Sequence, residues 1–241
     1  MSREILITGG GTGIGRAIAE HFTAQGESVI VTGRRSGPLQ DVADAIGARA
    51  LVCDHTEPDA VVRLLAELPA TIDVLVNNAG GNTDFDADGA GDRDLASWVR
   101  DFRANLDANL VSAALTTKAL GERLAPGGAV IHIGSIAADQ GAGSYGAAKA
   151  GLAAWNLSLA RELGPRDITA NVVSPGYIAD TEFFRDRLAD ERRGQLVAAT
   201  SVGRAGAPAD IATTVGFLAS PGARHITGQV LNVNGGARPT R

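Results

Sequence analysis

Two side chains with complementary proton chemistry, Tyr145 and Lys149, stand four positions apart in the chain. In a predicted helix, Ser144–Leu163, this spacing places both on one face. A phenol titrates near 10 in water, too high to exchange protons readily at neutral pH. An ammonium about 5 Å away, at an effective dielectric of ~20, favours the phenolate by about two pK units. The pair therefore predicts a tyrosine whose pKa is lowered towards neutral pH. The alternative is an exposed helix surface, which is what such a pair alone usually marks.

A glycine-rich turn lies between the first predicted strand and the first predicted helix. Its sequence is Thr8-Gly9-Gly10-Gly11-Thr12-Gly13-Ile14-Gly15. Glycines there permit a tight turn and let the backbone approach a pyrophosphate at the positive N-terminus of the helix. Placed between a strand and a helix, the turn predicts a dinucleotide site. The residues expected to contact the dinucleotide are Gly9, Thr12, Gly13, Ile14 and Gly15.

Two arginines, Arg34 and Arg35, follow Gly33 at the end of the second predicted strand. Dinucleotide folds that bind NAD carry an acidic residue at this point, about 20 residues past the glycines, for the ribose 2′-hydroxyl. A carboxylate would repel a 2′-phosphate, whereas a guanidinium grips it with two charge-assisted hydrogen bonds. The pair predicts NADP(H), with Arg34 as the first choice. The alternative is a pair of solvated arginines that open a loop.

The elements that must position these residues alternate short apolar runs with longer helical stretches. Strands that are apolar throughout belong to a parallel sheet covered on both faces. The pattern predicts an α/β fold, a Rossmann-type doubly wound sheet of about seven parallel strands with helices on both faces. We expect one domain, residues 1–241. The predicted strands are Ile5–Thr8, Ser28–Gly33, Arg49–Cys53, Ile72–Val76, Ala129–Gly134, Ile168–Ser174 and Gln229–Val233.

Two predicted helices, Leu95–Leu124 and Ser144–Leu163, are unusually long, and the second is apolar on nearly every side. Such a helix must be buried on both faces. One face covers the sheet, and the other is expected to meet a partner subunit in a homotetramer or, failing that, a homodimer. The alternative is a tightly covered monomer core.

The composition excludes several classes of function. The net charge is −5 and the sequence has no basic stripe, which argues against a nucleic-acid partner. No apolar run approaches the ~20 residues of a membrane span, and no targeting segment precedes the first strand. The one cysteine, Cys53, makes no internal disulfide, so we expect a cytoplasmic protein. The four histidines lack metal-ligand spacing, so no metal is expected.

The order of motifs resembles the single-domain branch of the short-chain dehydrogenase/reductase superfamily. The glycine spacing Gly9-x-x-x-Gly13-x-Gly15 is typical of this family. Further matches follow in the family's order over residues 5–236. They are Asp54, Asn77-Asn78-Ala79-Gly80, Asn109, Ser135, Tyr145-x-x-x-Lys149, Ser174-Pro175-Gly176 and Thr227-Gly228-Gln229 with Val233-Asn234-Gly235-Gly236.

The resemblance implies a role for each matching residue. It makes Tyr145 the general acid in reduction, with Lys149 lowering its pKa and binding ribose hydroxyls. Ser135 would hydrogen-bond the substrate oxygen, and Asn109 would hold a water in the proton relay. Asp54 would contact the adenine. The other implied cofactor contacts are His55, Asn78, Ala79, Gly80, Pro175, Gly176, Ile178 and Thr181, together with Tyr145 and Lys149.

The function that the resemblance implies is reduction of a ketone by NADPH, similar to 3-oxoacyl-carrier-protein reductases. One alternative is an alcohol or sugar dehydrogenase that works in the oxidative direction. Another is a regulatory protein that senses NADP(H) without turnover. The sequence departs from the family at one point, because Ser135 and Tyr145 are only ten residues apart and about three more is usual.

Two segments are expected to border the substrate. Residues 180–200 carry Phe183 and Phe184 among charged residues and are predicted to form a substrate lid, the alternative being a plain surface helix. The segment Gly81–Asp94 is rich in aspartate and holds Phe85. Its charge is expected to repel an acidic carrier protein and to admit a small carbonyl compound. The alternative is a solvated insertion that points away from the site.

Overall fold

The computed structural model describes residues 2–85, 94–184 and 188–239. Within these residues, seven strands form one sheet in the order β3-β2-β1-β4-β5-β6-β7. All six neighbouring pairs are parallel, which confirms the predicted Rossmann-type doubly wound fold. The strands are β1 Glu4–Thr8, β2 Ser28–Gly33, β3 Arg49–Val52, β4 Ile72–Asn77, β5 Leu124–Ile133, β6 Thr169–Pro175 and β7 Val230–Val233.

The helices alternate with the strands and lie on both faces of the sheet. They are α1 Gly13–Ala24, α2 Ser36–Ile46, α3 Pro58–Glu67, α4 Leu95–Leu106, α5 Ser112–Leu120, α6 Ala137–Gln140, α7 Gly143–Leu163, α8 Asp190–Ala198 and α9 Pro208–Leu218. Short 3₁₀ turns lie at 83–85, 121–123, 164–166, 182–184 and 221–223. Across the three described ranges, no helix combines the length and the hydropathy that a membrane span requires.

The apolar strands supply two hydrophobic cores, one on each face of the sheet. In β1, Ile5 and Ile7 pack against α1, α2 and α9, whereas Leu6 between them packs on the opposite face against α3, α5 and α7. Successive side chains of a strand point to opposite faces. A central strand covered on both faces is therefore apolar at every position.

The predicted helix Leu95–Leu124 is wrong in its extent. The structure divides it into α4, a π-helical segment Asp107–Val111, and α5, and β5 already begins at Leu124. Helix α5 ends at Gly121, which has φ +39°. Leu120 and Leu124 are both buried in the same core, so their spacing of four is as compatible with a helix end and a strand as with one helix. Periodicity alone does not separate these cases.

The loops that follow the strands meet at one edge of the sheet. In parallel strands all carboxyl ends lie at that edge, so the ends of β1 to β6 bring together residues that are far apart in the sequence. Strands β1 and β4 are neighbours, and the chain order reverses between them. A crevice opens outside such a reversal point, and this is where the site residues stand.

Candidate active site

The glycine turn after β1 has the conformation and the close contacts that only glycine allows. Gly9 has φ +66°, and a Cβ there would lie 2.9 Å from the Cα of Ala79. A Cβ on Gly15 would lie 2.2 Å from the carbonyl oxygen of Gly9. Gly13 also has a positive φ, +52°, but a Cβ there would meet only Thr181, at 3.5 Å. Gly9 and Gly15 thus allow the close packing of the turn, whereas Gly13 lies at its open side.

Hydrogen bonds from the residues that follow β4 hold this turn in place. The Asn78 side chain donates to the carbonyl oxygens of Thr8 and Gly9, at 3.0 and 2.9 Å. The hydroxyl oxygen of Thr8 accepts from the backbone N–H groups of Asn78 and Ala79, at 3.0 and 2.9 Å. The amide of Asn78 is therefore engaged in shaping the turn, a role that its sequence motif did not indicate.

The start of α1 is suited to bind an anion. Its N-cap, Thr12, makes no side-chain capping bond, and the first turn holds no acidic residue. The backbone N–H groups of a first turn and the helix dipole attract a phosphate. Arg34 and Arg35 lie beside this turn and are exposed. The open glycine turn and these two guanidinium groups fit a dinucleotide that carries a 2′-phosphate.

The two arginines differ in their surroundings. Arg35 forms an ion pair with Glu182 at 2.7 Å and donates to the Thr12 hydroxyl at 3.4 Å. Arg34 stands near Asp54. Burial raises the pKa of the Asp54 carboxyl, but hydrogen bonds from Thr56 and the charge of Arg34 outweigh this effect and lower that pKa. Asp54 is thus a carboxylate held by its neighbours at the end of β3.

The ring of His55 is not available to a cofactor in this structure. The side chain is 4% exposed, and its two ring nitrogens pair with the hydroxyls of Thr32 and Thr116 at 2.7 and 2.8 Å. Burial lowers the pKa of His55 to about 4, although Asp54 opposes this. The ring thus bridges β2 and α5, and the cofactor contact of His55 stays a prediction.

Ser135 and Tyr145 lie within hydrogen-bond reach of each other, although they are only ten positions apart in the sequence. The loop after β5 is fastened to β6, since Gly134 donates to the Val173 carbonyl at 2.7 Å and Ile136 donates to the Pro175 carbonyl at 2.9 Å. The short helix α6 then packs on α7, where a Cβ on Gly146 would lie 2.7 Å from the Ala137 carbonyl oxygen. Because α6 packs this closely on α7, the short segment between Ser135 and Tyr145 is long enough to bring the two side chains together.

The pKa of Tyr145 departs from the sequence-based expectation. Tyr145 is 6% exposed, and burial raises the pKa of its phenol to about 12, although a hydrogen bond from Ser135 acts in the opposite direction. The expected shift towards phenolate is therefore wrong for the protein alone. It counted the attraction of an ammonium and left out the cost of burying a phenolate.

Lys149 stands close to the tyrosine in the same buried site. Its ammonium lies 5.8 Å from the centre of the Tyr145 ring and donates to the Ile133 carbonyl oxygen at 2.8 Å. The side chain is 4% exposed, and burial lowers the pKa of its ammonium to about 8. We call Ser135, Tyr145 and Lys149 the carbonyl end of the crevice. Arg34, Arg35 and Glu182 form its phosphate end.

Asn109 lies in the π-helical segment and clamps the loop after β4. Its side-chain oxygen accepts from Gly81 N–H at 3.1 Å, and its amide donates to the carbonyl oxygens of Gly81 and Asn105 at 2.8 and 3.0 Å. A Cβ on Gly80 would lie 2.5 Å from that side-chain oxygen. The Asn109 amide is thus already engaged by the chain. A π-turn inside a helix is frequent at functional sites.

The residues predicted for the nicotinamide end gather after β6. Pro175 ends that strand, and Gly176 packs against Asn234, which a Cβ would approach to 2.8 Å. Ile178 is buried and pairs with Gly206, and its carbonyl oxygen accepts from the Thr181 hydroxyl at 3.3 Å. These contacts carry the chain from the floor of the crevice back to Gly13.

Phe183 and Phe184 lie on the 3₁₀ turn Glu182–Phe184, before α8 and not on it. The two aromatic residues of the predicted lid therefore precede the helix of that segment. The Phe183 ring stands 5.6 Å from the Tyr145 ring, centre to centre, so the turn reaches the carbonyl end. Arg185, Asp186 and Arg187, which were also part of the predicted lid, lie outside the described residues.

The described aspartates of the segment 81–94 have structural partners. Asp84 accepts from the Asn105 amide at 2.9 Å and from the Ser144 hydroxyl at 3.2 Å, and Asp94 caps α4 by accepting from Ser97 N–H at 2.8 Å. Asn105 and Ser144 were absent from the predicted site, and their contacts give no local signal in the sequence. The remaining charged residues of the segment lie outside the described residues. They are Asp86, Asp88, Asp92 and Arg93.

Comparison with known proteins agrees with this geometry. Residues 9–238 match a family model described as enoyl-(acyl carrier protein) reductase. The chain is 39% identical to the 3-oxoacyl-[acyl-carrier-protein] reductase FabG of Escherichia coli (strain K12), over 96% of this chain and 95% of that protein. It is 37% identical to the corresponding reductase MabA of Mycobacterium bovis, over 98% and 93%. A solved short chain dehydrogenase from Burkholderia cenocepacia J2315 in complex with NADP is 35% identical, with a TM-score of 0.83 and 98% of each chain covered.

Proposed function

The chain belongs to the short-chain dehydrogenase/reductase family, and we propose that it is an NADPH-dependent ketoreductase similar to 3-oxoacyl-carrier-protein reductases. The relatives from Escherichia coli and Mycobacterium bovis, 39% and 37% identical over nearly the whole length, are named 3-oxoacyl-[acyl-carrier-protein] reductases. NADP is present in the similar solved structure. The reaction converts a ketone and a proton, with hydride from NADPH, to a secondary alcohol and NADP⁺.

The observation that carries the proposal is the buried phenol of Tyr145 beside Ser135 and Lys149. With a pKa of about 12, the phenol holds its proton at neutral pH. Reduction of a carbonyl needs an acid at this point, whereas oxidation of an alcohol needs a base. The protonated phenol is ready to act as that acid, and the names of the relatives as reductases favour reduction over the oxidative alternative. A protein that only senses NADP(H) has no need of the three side chains together, so that alternative is not favoured either.

Each side chain then has a distinct task. Tyr145 gives its proton to the carbonyl oxygen, and the Ser135 hydroxyl orients that oxygen by a second hydrogen bond. The Lys149 ammonium stabilises the negative charge that remains on the phenol oxygen. The bound nicotinamide supplies the hydride, and the protein supplies positioning and charge. Asn109 holds the loop of Gly80 and Gly81 beside the crevice, and its place in a water relay stays a proposal.

The choice of cofactor rests on the phosphate end. Arg34 and Arg35 stand where an acidic residue would select the free 2′-hydroxyl of NAD. We propose that the glycine turn holds the pyrophosphate and that Arg34 holds the 2′-phosphate. The adenine lies beside Asp54, and the nicotinamide lies along the residues after β6. The Gly80 loop borders the ribose.

The direct test of the proposed function is NADPH consumption. The purified protein is mixed with NADPH and a panel of β-ketoesters, quinones, cyclic ketones and sugars, and the loss of absorbance of NADPH is followed. We expect turnover with at least one ketone, and NADH in place of NADPH serves as the matched control. Turnover with sugars or secondary alcohols and NADP⁺ only would support the oxidative alternative. Binding of NADPH with no turnover in either direction would support the sensor.

We also propose that residues 1–241 act as one catalytic domain in the cytoplasm and assemble as a homotetramer or homodimer. The support for assembly is a stripe of exposed small and apolar residues along α7: Ala147, Ala150, Ala154 and Leu157. Leu157 is 49% exposed, and Leu95 on α4 is 83% exposed. Sedimentation velocity at micromolar concentration tests this proposal. A particle of one chain contradicts it.

We propose that residues 180–200 close over bound ligands. The support is that Thr181 faces Gly13, Glu182 pairs with Arg35, and Phe183 faces Tyr145, so this strip of chain spans both ends of the crevice. Limited proteolysis with and without NADPH and a ketone is the test. Cleavage within this segment should slow when both ligands are present. Equal rates of cleavage would contradict a closing lid.

The substrate is proposed to be a free small carbonyl compound. The acidic segment 81–94 supports this in part, although Asp84 and Asp94 are engaged within the protein. The test compares kcat/KM for a carrier-bound 3-oxoacyl group with that for its small thioester mimic, at low and high salt. A strong preference for the carrier-bound form that salt weakens would contradict this proposal and favour a fatty-acid-type reductase.

A further inference from the structure

Five aromatic rings from three parts of the chain meet at the carbonyl end. Phe85 from the turn after β4 lies 5.8 Å from Phe183 and 6.0 Å from Phe184, measured between ring centres. Phe183 lies 5.0 Å from Phe184 and 5.6 Å from Tyr145, and Phe184 lies 5.9 Å from Tyr177. We call this group the aromatic cluster. The tyrosine that gives the proton is one of its members.

Phe85 stands on a turn that hydrogen bonds of the buried Asn105 side chain hold in position. Asn105, fully buried on α4, accepts from Thr83 N–H at 3.0 Å and donates to the Asp84 carboxylate at 2.9 Å. The same amide donates to the hydroxyl of Ser144 at 2.8 Å. Ser144 directly precedes Tyr145, so this network ties the position of Phe85 to the start of the helix that carries the tyrosine.

Phe183 and Phe184 approach from the other side of the crevice on the turn Glu182–Phe184. Its polar contacts include the exposed ion pair of Glu182 with Arg35, and Thr181 just before it donates to the Ile178 carbonyl oxygen. The Phe85 wall is thus tied to the buried Asn105 side chain, whereas the ion pair described for the other wall lies at the surface. A ligand ring enters most readily between two such walls, because the surface contacts cost little to rearrange.

We propose that the substrate carries a planar aromatic ring next to its carbonyl group and that Phe85 and Phe183 determine this specificity. The inference rests on the proposed ketone reduction and names the substrate class of that site. A carbonyl oxygen that receives the Tyr145 proton brings its substituents next to the Phe183 ring, which is 5.6 Å from the tyrosine ring. A planar ring there replaces the present ring–ring contacts by equivalent ones.

A flexible acyl chain has less to gain at the same place. Edge-to-face and offset ring pairs are stabilising beyond the apolar area that they bury, whereas an alkyl chain gains from area alone. The chain also loses rotational freedom when it is ordered between rigid rings. The cluster should therefore favour an aryl ketone over an alkyl ketone of equal size by about two- to tenfold for each ring contact.

The experiment compares three ketones with eight carbon atoms each: acetophenone, cyclohexyl methyl ketone and 2-octanone. The measured quantity is kcat/KM with NADPH, expressed as the ratio of acetophenone to cyclohexyl methyl ketone. Comparing this ratio between variants removes the intrinsic difference in reactivity between the two ketones. We expect the ratio to fall by about two- to tenfold in Phe85→Leu and in Phe183→Leu, because one ring contact is lost. Phe217→Leu, at an exposed site on α9, is the matched control and should leave the ratio unchanged.

The outcomes separate this inference from the proposed function. If no ketone is reduced by the wild-type protein, the proposed function fails. If all three ketones are reduced and the ratio is the same in wild type, Phe85→Leu and Phe183→Leu, the function stands and the aromatic specificity is refuted. Thermal melting of each variant checks folding, and Phe184→Leu replaces a variant that does not fold.

Discussion

At the carbonyl end of the crevice Tyr145 and Lys149 are 6% and 4% exposed, whereas Arg34 and Arg35 at the phosphate end are open to solvent. Burial raises the pKa of the phenol to about 12 and lowers that of the ammonium to about 8. The arginines keep their charge in water, where salt screens it. The carbonyl end is therefore suited to hold and transfer a proton, whereas the phosphate end is suited to attract an anion. Changes at the two ends should therefore affect different measured quantities.

A buried histidine stands behind each end. His55 lies behind the adenine region, and both of its ring nitrogens have hydroxyl partners. His132 in β5 lies behind the carbonyl end, where its Nδ1 meets the Asn77 amide at 3.1 Å and its ring packs 5.2 Å from the Trp155 ring. Burial, aided by the charge of Lys149, lowers the pKa of His132 to about 3. The histidine behind each end of the crevice is therefore neutral at pH 7.

The largest effect is expected from Tyr145→Phe, which removes the proton donor and little else. We expect kcat to fall by roughly 10²–10⁴-fold, the usual contribution of a general acid. The Kd of NADPH, measured by fluorescence titration, should stay within about twofold. Thr213→Val removes an exposed hydroxyl on α9, away from the crevice, and is the control with unchanged kcat. Full activity of Tyr145→Phe would break the assignment of the carbonyl end.

The next effect concerns stability and pH. The pKa values of His55 and His132 in the fold are about 4 and about 3, below the ordinary value of 6.5. Between pH 6.5 and the lowered pKa of each histidine, the unfolded chain binds more protons than the folded protein. The neutral histidines therefore contribute fully to the free energy of unfolding above pH 6.5, and this contribution is lost as the pH falls. Each histidine should lower the free energy of unfolding by about 2 kcal/mol between pH 7 and pH 5, since the loss below pH 6.5 is about 1.4 kcal/mol per pH unit.

Urea unfolding at pH 7 and pH 5 measures this loss for the wild-type protein, His55→Gln and His132→Leu. Each substitution should remove about half of the difference between the two pH values. The carboxyl groups with lowered pKa are ionised in both the folded and the unfolded chain above pH 5. They therefore contribute little to the difference in stability between pH 7 and pH 5. Equal free energies of unfolding of the wild-type protein at both pH values would contradict the neutral state of the two histidines.

A smaller effect is expected at the phosphate end from Arg34→Asp. Loss of a bidentate charge-assisted contact should cost about 1.5–3 kcal/mol, which is roughly ten- to hundredfold in the Kd of NADPH. NADH binding should not weaken, and kcat at saturating NADPH should change little. Arg49→Asp makes the same change of charge at the start of β3, at the opposite edge of the sheet, and should leave the Kd unchanged. Equal NADPH binding by wild type and Arg34→Asp would refute the role of Arg34.

The smallest effect is expected from Glu182→Gln. Both side chains of the Arg35–Glu182 pair are 60% exposed, so the pair is worth at most about 1 kcal/mol. Its removal frees Arg35 for the phosphate, and NADPH should bind tighter by up to about fivefold. Asp190→Asn breaks another exposed pair, with Arg193, and serves as the control. Weaker binding by Glu182→Gln would mean that Glu182 supports the cofactor site instead of competing for Arg35.

The sequence was sufficient for the architecture and for the order of the site. Apolar strands such as Ile5–Thr8, glycine spacing, and the four-residue step from Tyr145 to Lys149 are local features. They determine which face of a helix or which edge of a parallel sheet a residue occupies. The seven predicted strands were present, with their ends either as predicted or shifted by one residue. The exception was β5, which starts at Leu124 because helical and strand periodicity coincide there.

Only the tertiary structure decided how the site behaves as chemistry. The pKa of Tyr145 depends on the burial of a whole side chain, which outweighs the nearby ammonium, and no spacing in the sequence reports that cost. The engagement of His55 by Thr32 and Thr116, and the meeting of Phe85 with Phe183, join segments that are distant along the chain. Such contacts arise when the sheet brings its loops to one edge. Local pattern therefore identifies the residues of this site, and three-dimensional packing sets their protonation and the shape of the space between them.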